Sequence, residues 1–171
     1  WMSAGGGRGW LSPEKFPGRR KKQLNTDRWV SDGNVRFFWT IGLTWFPAMV
    51  ASQELAESVR KLTSGHPIQP TVLDKAKVIA ALIARVDAGG MMLVDSDLYP
   101  VAPLNTDFAD IVLPASGWGE DDLTRCNSER RLRLYSKVSD APGEAKPDWW
   151  AIAQFAQKMG FQGYDWKDSN A

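Results

Sequence analysis

The 171 residues are 43% hydrophobic and 24% charged, with nine tryptophans, one histidine and one cysteine. That composition is globular, and the length suits one ordinary domain or a piece of a larger chain. A single cysteine excludes an internal disulfide framework, a four-cysteine zinc site and a self-contained iron–sulfur cluster, and a single histidine excludes every two-histidine metal site. No apolar run approaches the roughly 20 residues of a membrane span, and no charged-then-apolar leader opens the chain. Trp1 at one end and the polar run up to Ala171 at the other read as cut ends, so the chain is expected to be an internal fragment.

The net charge of +1 is unevenly spread: residues 1–36 sum to +5 and the remaining residues to −4. The basic head contains Arg19-Arg20-Lys21-Lys22 after the turn signal Pro17-Gly18. With no helical or stacking pattern to organise it, the run reads as a solvated turn; the alternative is a nucleic-acid-binding module. Residues 1–34 as a whole, with Gly5-Gly6-Gly7-Arg8-Gly9 and Ser12-Pro13, read as an irregular, basic, Gly/Pro-rich lead-in. The glycines match no phosphate-loop spacing, since no Gly-Lys-Ser/Thr follows.

Residues 35–171 carry the regular pattern. Val35–Ile41 is rich in β-formers and follows the turn Ser31–Asn34, so it is predicted as a strand with Gly42–Pro47 as the loop at its carboxyl end. Leu55, Val59 and Leu62 recur at helical spacing within Ala48–Leu62, a helix stopped by Ser64-Gly65-His66-Pro67. Ala76, Ile79, Ile83 and Val86 form a second helical face, ended by Gly89-Gly90. Met91–Val94 and Ile111–Leu113 are short strands of the buried type, and Leu132–Tyr135 has strand period. A last helix begins at Pro147 with Ile152, Phe155 and Met159 on one face. Strand, helices, strand, strand defines an α/β class with a layered, largely parallel sheet and flanking helices.

Open α/β sheets bind ligands beyond the carboxyl ends of their strands. Two such ends are visible: Thr44 follows the first strand, and Asp95-Ser96-Asp97 follows the second. A carboxylate at such an edge can accept paired hydrogen bonds from a ligand or merely cap the next turn. Glu120-Asp121-Asp122, after Gly117-Trp118-Gly119, reads as a solvated loop, with acid/base work or a hard cation as the alternative. Asn127-Ser128-Glu129-Arg130-Arg131 suits a polar ligand or a salt-bridge corner. Cys126 has basic neighbours but no second cysteine or histidine, and His66 reads as a loop residue. No Ser/His/Asp set can be assembled, so neither a catalytic residue nor a metal ligand is assigned.

Five motifs follow in order over about 55 residues: Ser96-Asp97-Leu98-Tyr99-Pro100, Phe108–Pro114, Trp118-Gly119-Glu120, Asn127–Arg131 and Ala141–Trp150. This series resembles the molybdopterin oxidoreductases of the dimethyl sulfoxide reductase type. Leu123–Tyr135 and Gly163–Asp168 make it look most like the arsenite oxidase large subunit within that family. The resemblance implies part of a multidomain enzyme. It implies one molybdenum held by two molybdopterin guanine dinucleotides (bis-MGD), and two-electron oxygen-atom transfer on a small oxyanion, arsenite or alternatively iodate or nitrate. It implies an iron–sulfur cluster in the intact subunit but not in this fragment, a small Rieske-type partner, no nucleic acid and a periplasmic enzyme. Its cofactor contacts fall on Ser96, Asp97 and Asp148, with Thr44 where nitrate reductases have asparagine and Asn127 in the matching corner. Asp121 stands where they carry a lysine contact, so that diphosphate contact is expected to be missing. In Gly5-Gly6-Gly7-Arg8 a glycine takes the place of the histidine that arsenite oxidases use to meet the oxyanion.

Overall fold

The computed structural model describes residues 24–43, 52–64, 74–99, 108–126 and 131–168. The chain divides into two compact units: residues 1–38 with 46–92, and residues 39–45 with 93–171.

In the first unit, α1 (Leu24–Ser31) packs on α2 (Ser52–Thr63), and α3 is Lys75–Asp87. The helix α1 lies inside the stretch expected to be irregular. Its sequence is mostly polar, and it is anchored by Val30, which is fully buried. Asp74 caps α3, its Oδ1 accepting from the amides of Ala76 and Lys77, so two of the helix's orphan donors are satisfied. The buried stripe of α3 differs from the expected one: Leu82 and Arg85 are buried, while Ile79 and Ile83 are each 56% exposed. Arg85 turns inward because its Nη1 donates to Thr63 O at 2.6 Å, meeting a carbonyl at the end of α2. Gly89-Gly90 ends the helix as predicted. A Cβ on Gly90 would stand 2.7 Å from Leu62 O and 2.9 Å from Arg85 O, so only glycine fits this close approach.

The sheet, which falls in the second unit apart from residues 37, 38 and 92, is ordered β1-β2-β3, with β1 Phe37–Ile41, β2 Met92–Asp97 and β3 Ile111–Pro114. The strands β2 and β3 run parallel, with Val94 opposite Ile111 and Asp97 opposite Pro114. Asp110 pins their start, its Oδ2 accepting from Leu93 N while its own amide donates to Leu93 O. Leu93, Val94, Phe108, Ala145, Ala153 and Ala156 form the core.

A separate antiparallel hairpin pairs β4 (Leu123–Cys126) with β5 (Leu132–Tyr135). β4 was not anticipated, because Leu-Thr-Arg-Cys offers one aliphatic residue and no turn signal. The last helix, α4 (Asp148–Lys158), starts after Pro147 as its N-cap. Its buried residues are the small Ala153 and Ala156, whereas Ile152, Phe155 and Met159 are 38–61% exposed. Among the described residues no helix is long and apolar enough to cross a membrane.

Candidate functional site

Alternation along β2 sends Asp95 and Ser96 to opposite faces of the sheet. Thr40 Oγ1 donates to Asp95 Oδ1 at 2.5 Å and lies 3.3 Å from Val94 O. Asp95 is fully buried and its Oδ2 has no partner among the described residues. Burial pushes its pKa up, the Thr40 hydrogen bond opposes the shift, and the nearby Asp97 charge adds to it. On the other face Trp39 Nε1 donates to Ser96 Oγ at 2.8 Å, and the Trp39 ring meets Phe155 of α4 edge-on at 5.6 Å. Gly42 N donates to Ser96 O at 2.8 Å, so the loop leaving β1 is tied to the same residue.

Ser96 opens into a cavity of about 100 Å³ at the carboxyl end of the sheet. It is lined by the end of β3 (Leu113, Pro114, Ala115), by Glu144 and Lys146, and by the first turn of α4, including Asp148 and Trp150. The wall is built by main chain. Ala115 and Lys146 form a parallel bridge, Ser116 N donates to Lys146 O at 2.9 Å, and Lys146 N donates to Pro114 O at 3.1 Å. Asp148 sits in the first turn of α4 and is exposed at its rim. The protein atoms crowding its carboxyl, and then the charge of Asp97, still push its pKa up. Lys146 Nζ lies 5.8 Å from the centre of the Trp150 ring, a cation–π contact at the mouth. Asp97 Oδ1 accepts from Leu98 N at 2.6 Å, and among the described residues its second oxygen has no hydrogen-bond partner.

Of the sequence-predicted residues, Ser96 and Asp148 therefore line one cavity, and Asp97 is close enough to Asp148 to perturb it. Thr44, Asn127 and Glu129 lie outside the described residues, as do Gly5–Gly9, Arg19–Lys22 and His66. The run Glu120-Asp121-Asp122 is not a solvated loop: each carboxylate is committed to a donor of the fold. Glu120 Oε2 accepts from Gly117 N, Asp121 Oδ2 from Trp149 Nε1, and Asp122 Oδ1 from Lys137 N, each at 2.6 Å. Asp121 thus braces Trp149, immediately after Asp148. Among the described residues no cluster of three His, Cys, Asp or Glu is placed to hold a metal. Sequence reasoning missed Trp39, Thr40 and Lys146. Period placed the first two in a strand, but nothing local signals a partner more than 50 residues away.

A parallel sheet with a cavity beyond its carboxyl edge, lined by a strand-end serine and a helix-start aspartate among largely apolar walls, is the architecture of an α/β ligand-binding layer. The family model for molybdopterin oxidoreductases matches residues 103–158, spanning β3, the hairpin and α4. The chain belongs to the molybdopterin oxidoreductases.

Three relatives refine this. The iodate reductase subunit IdrA of Denitromonas iodatirespirans is 62% identical over 172 residues, covering 99% of this chain and 19% of the relative. A nitrate reductase of Shewanella frigidimarina is 41% identical over 51% of this chain and 9% of the relative. The arsenite oxidase subunit AioA of Herminiimonas arsenicoxydans is 33% identical over 54% of this chain and 13% of the relative. The expectation of a sequence most like arsenite oxidase is thereby corrected: the iodate reductase matches along nearly the whole chain, the arsenite oxidase along about half. The chain spans about a fifth of the length of the iodate reductase relatives it matches.

Proposed function

We propose that this chain is the part of a molybdenum oxidoreductase catalytic subunit that holds one guanine dinucleotide arm of a bis-MGD cofactor, in an enzyme that reduces iodate. The observation that supports the substrate is the 62% identity to an iodate reductase subunit along 99% of the chain. The glycine in Gly5-Gly6-Gly7-Arg8, at the place of the arsenite-binding histidine, agrees with it. Arsenite oxidation is the weaker reading.

The residues present fit such an arm. The Ser96 hydroxyl is buried but opens into the cavity, and its hydrogen meets no acceptor among the described residues. Asp97 and Asp148 provide carboxyl oxygens that can accept from a base edge or a ribose, and Lys146 provides a cation for an anionic group. A cavity of about 100 Å³ is smaller than whole-ligand pockets, so it takes one group of an extended ligand and leaves the rest along the sheet edge. The bound cofactor supplies the two-electron oxygen-atom transfer; the chain supplies binding and orientation. By the same reading the intact subunit carries an iron–sulfur cluster, works with a Rieske-type partner and is exported to the periplasm, on the strength of the family resemblance.

The test is turnover by the intact, cofactor-loaded subunit with artificial electron carriers. Iodate-dependent oxidation of a reduced dye, with no arsenite-dependent dye reduction, is the expected result. Arsenite oxidation without iodate reduction would overturn the substrate assignment.

A further inference from the structure

The Trp39–Ser96 hydrogen bond has a direction that the geometry alone fixes. An indole N–H can only donate, so Ser96 Oγ, 2.8 Å away, must accept. A serine hydroxyl has two lone pairs and one hydrogen. With one lone pair held by Trp39, its single hydrogen must point elsewhere, and among the described residues it meets no acceptor. Ser96 is only 2% exposed, and the space open to it is the cavity it lines.

Trp39 is itself held. Its ring meets Phe155 at 5.6 Å with the planes 72° apart, and the strand carrying it is fastened to β2 just beyond the contact. Thr40 bonds Asp95 on the opposite face, and Gly42 N donates to Ser96 O. Those ties hold the backbone beside Trp39 against β2, and the ring itself is restrained by Phe155 and by its bond to Ser96.

From this arrangement we propose that Trp39 is a positioning residue that commits the Ser96 hydroxyl to donate into the cavity, selecting a ligand group with an acceptor oxygen or nitrogen there. The proposal rests on the reading of the cavity as the seat of a guanine dinucleotide arm. Without the indole donor, the hydroxyl has no reason to keep its hydrogen turned toward the ligand.

The test uses the intact holoenzyme and follows loss of the cofactor on mild warming, read as guanine nucleotide and molybdenum retained by the desalted protein. Ser96→Ala and Trp39→Phe should each speed the loss roughly three- to tenfold, the scale of one hydrogen bond, and the double variant should be no faster than either. Additive effects would mean that Trp39 acts by packing alone and would overturn the proposal. Acceleration by Ser96→Ala but not by Trp39→Phe would overturn it while leaving the cavity reading intact. No change in all three of Ser96→Ala, Asp97→Ala and Asp148→Ala would remove the cavity reading and the proposal with it. Should Trp39→Phe fail to fold, replacing Trp39 by its benzothienyl isostere keeps the ring and deletes only the N–H. Unchanged retention in that protein would overturn the proposal, and three- to tenfold faster loss would support it.

Discussion

Two carboxylate-bearing segments of the second unit invite comparison. In the 117–122 loop, every acidic residue spends an oxygen on a donor of the fold: a loop amide, an indole and the amide that follows β5. At the end of β2, among the described residues, Ser96 keeps a hydrogen and Asp97 keeps an oxygen; Ser96 lines a cavity with Asp148, and the Asp97 charge acts on Asp148. The two segments look equally reactive as sequence. What separates a brace from the proposed binding edge is hydrogen-bonding capacity left unspent, together with space in front of it.

That contrast can be broken by experiment. The largest effect is expected at the binding edge: Asp97→Ala in the intact subunit should lower guanine nucleotide content tenfold or more, on the scale of a hydrogen bond to a charged group. Full molybdenum and guanine loading would erase the distinction. In the brace, Glu120→Ala should leave cofactor content unchanged. It should cost about 1–2 kcal/mol locally, seen as roughly tenfold faster hydrogen exchange at the Gly117 amide.

Asp95 tests a third condition, a buried carboxyl with one oxygen unmatched. Its pKa is raised in the folded chain, so its contribution to stability is fully present below the ordinary carboxylate pKa and is lost as pH rises through the folded value. The thermal midpoint should therefore decline over that window, and Asp95→Asn should flatten the profile, because a neutral amide has no charge to bury. The smallest difference is expected between two variants of one residue. Asp148→Asn, which keeps an acceptor, should retain two- to threefold more guanine nucleotide than Asp148→Ala; equal loss would assign the effect to charge at the helix start.

Much of the fold was legible because it depends on local pattern. The glycine pair ending α3, the proline before α4 and the β-rich runs of β1 to β3 declare themselves within a few residues. What failed was the assignment of faces. The periodicity of Ile79 and Ile83, and of Ile152, Phe155 and Met159, is that of buried stripes, yet these side chains are exposed in a chain that spans about a fifth of its iodate reductase relatives. Helix α1 was hidden by its polar composition. At the site, Ser96, Asp97 and Asp148 were readable from strand ends and motif order. Trp39 and the Asp121–Trp149 brace were not, since those contacts join residues 57 and 28 positions apart.

The bridge between Ala115 and Lys146 has a consequence for how such a site can change. Because backbone bonds tie residues 114–116 to 146, the span from the end of β3 to the first turn of α4 is set by peptide geometry. The wall acts as a fixed gauge, while Glu144, Lys146, Asp148 and Trp150 decorate it. On the proposed reading, substitution can therefore retune which groups the cavity prefers while the span of its wall stays set, and changing that span would require inserting or deleting residues in the segment between β5 and α4.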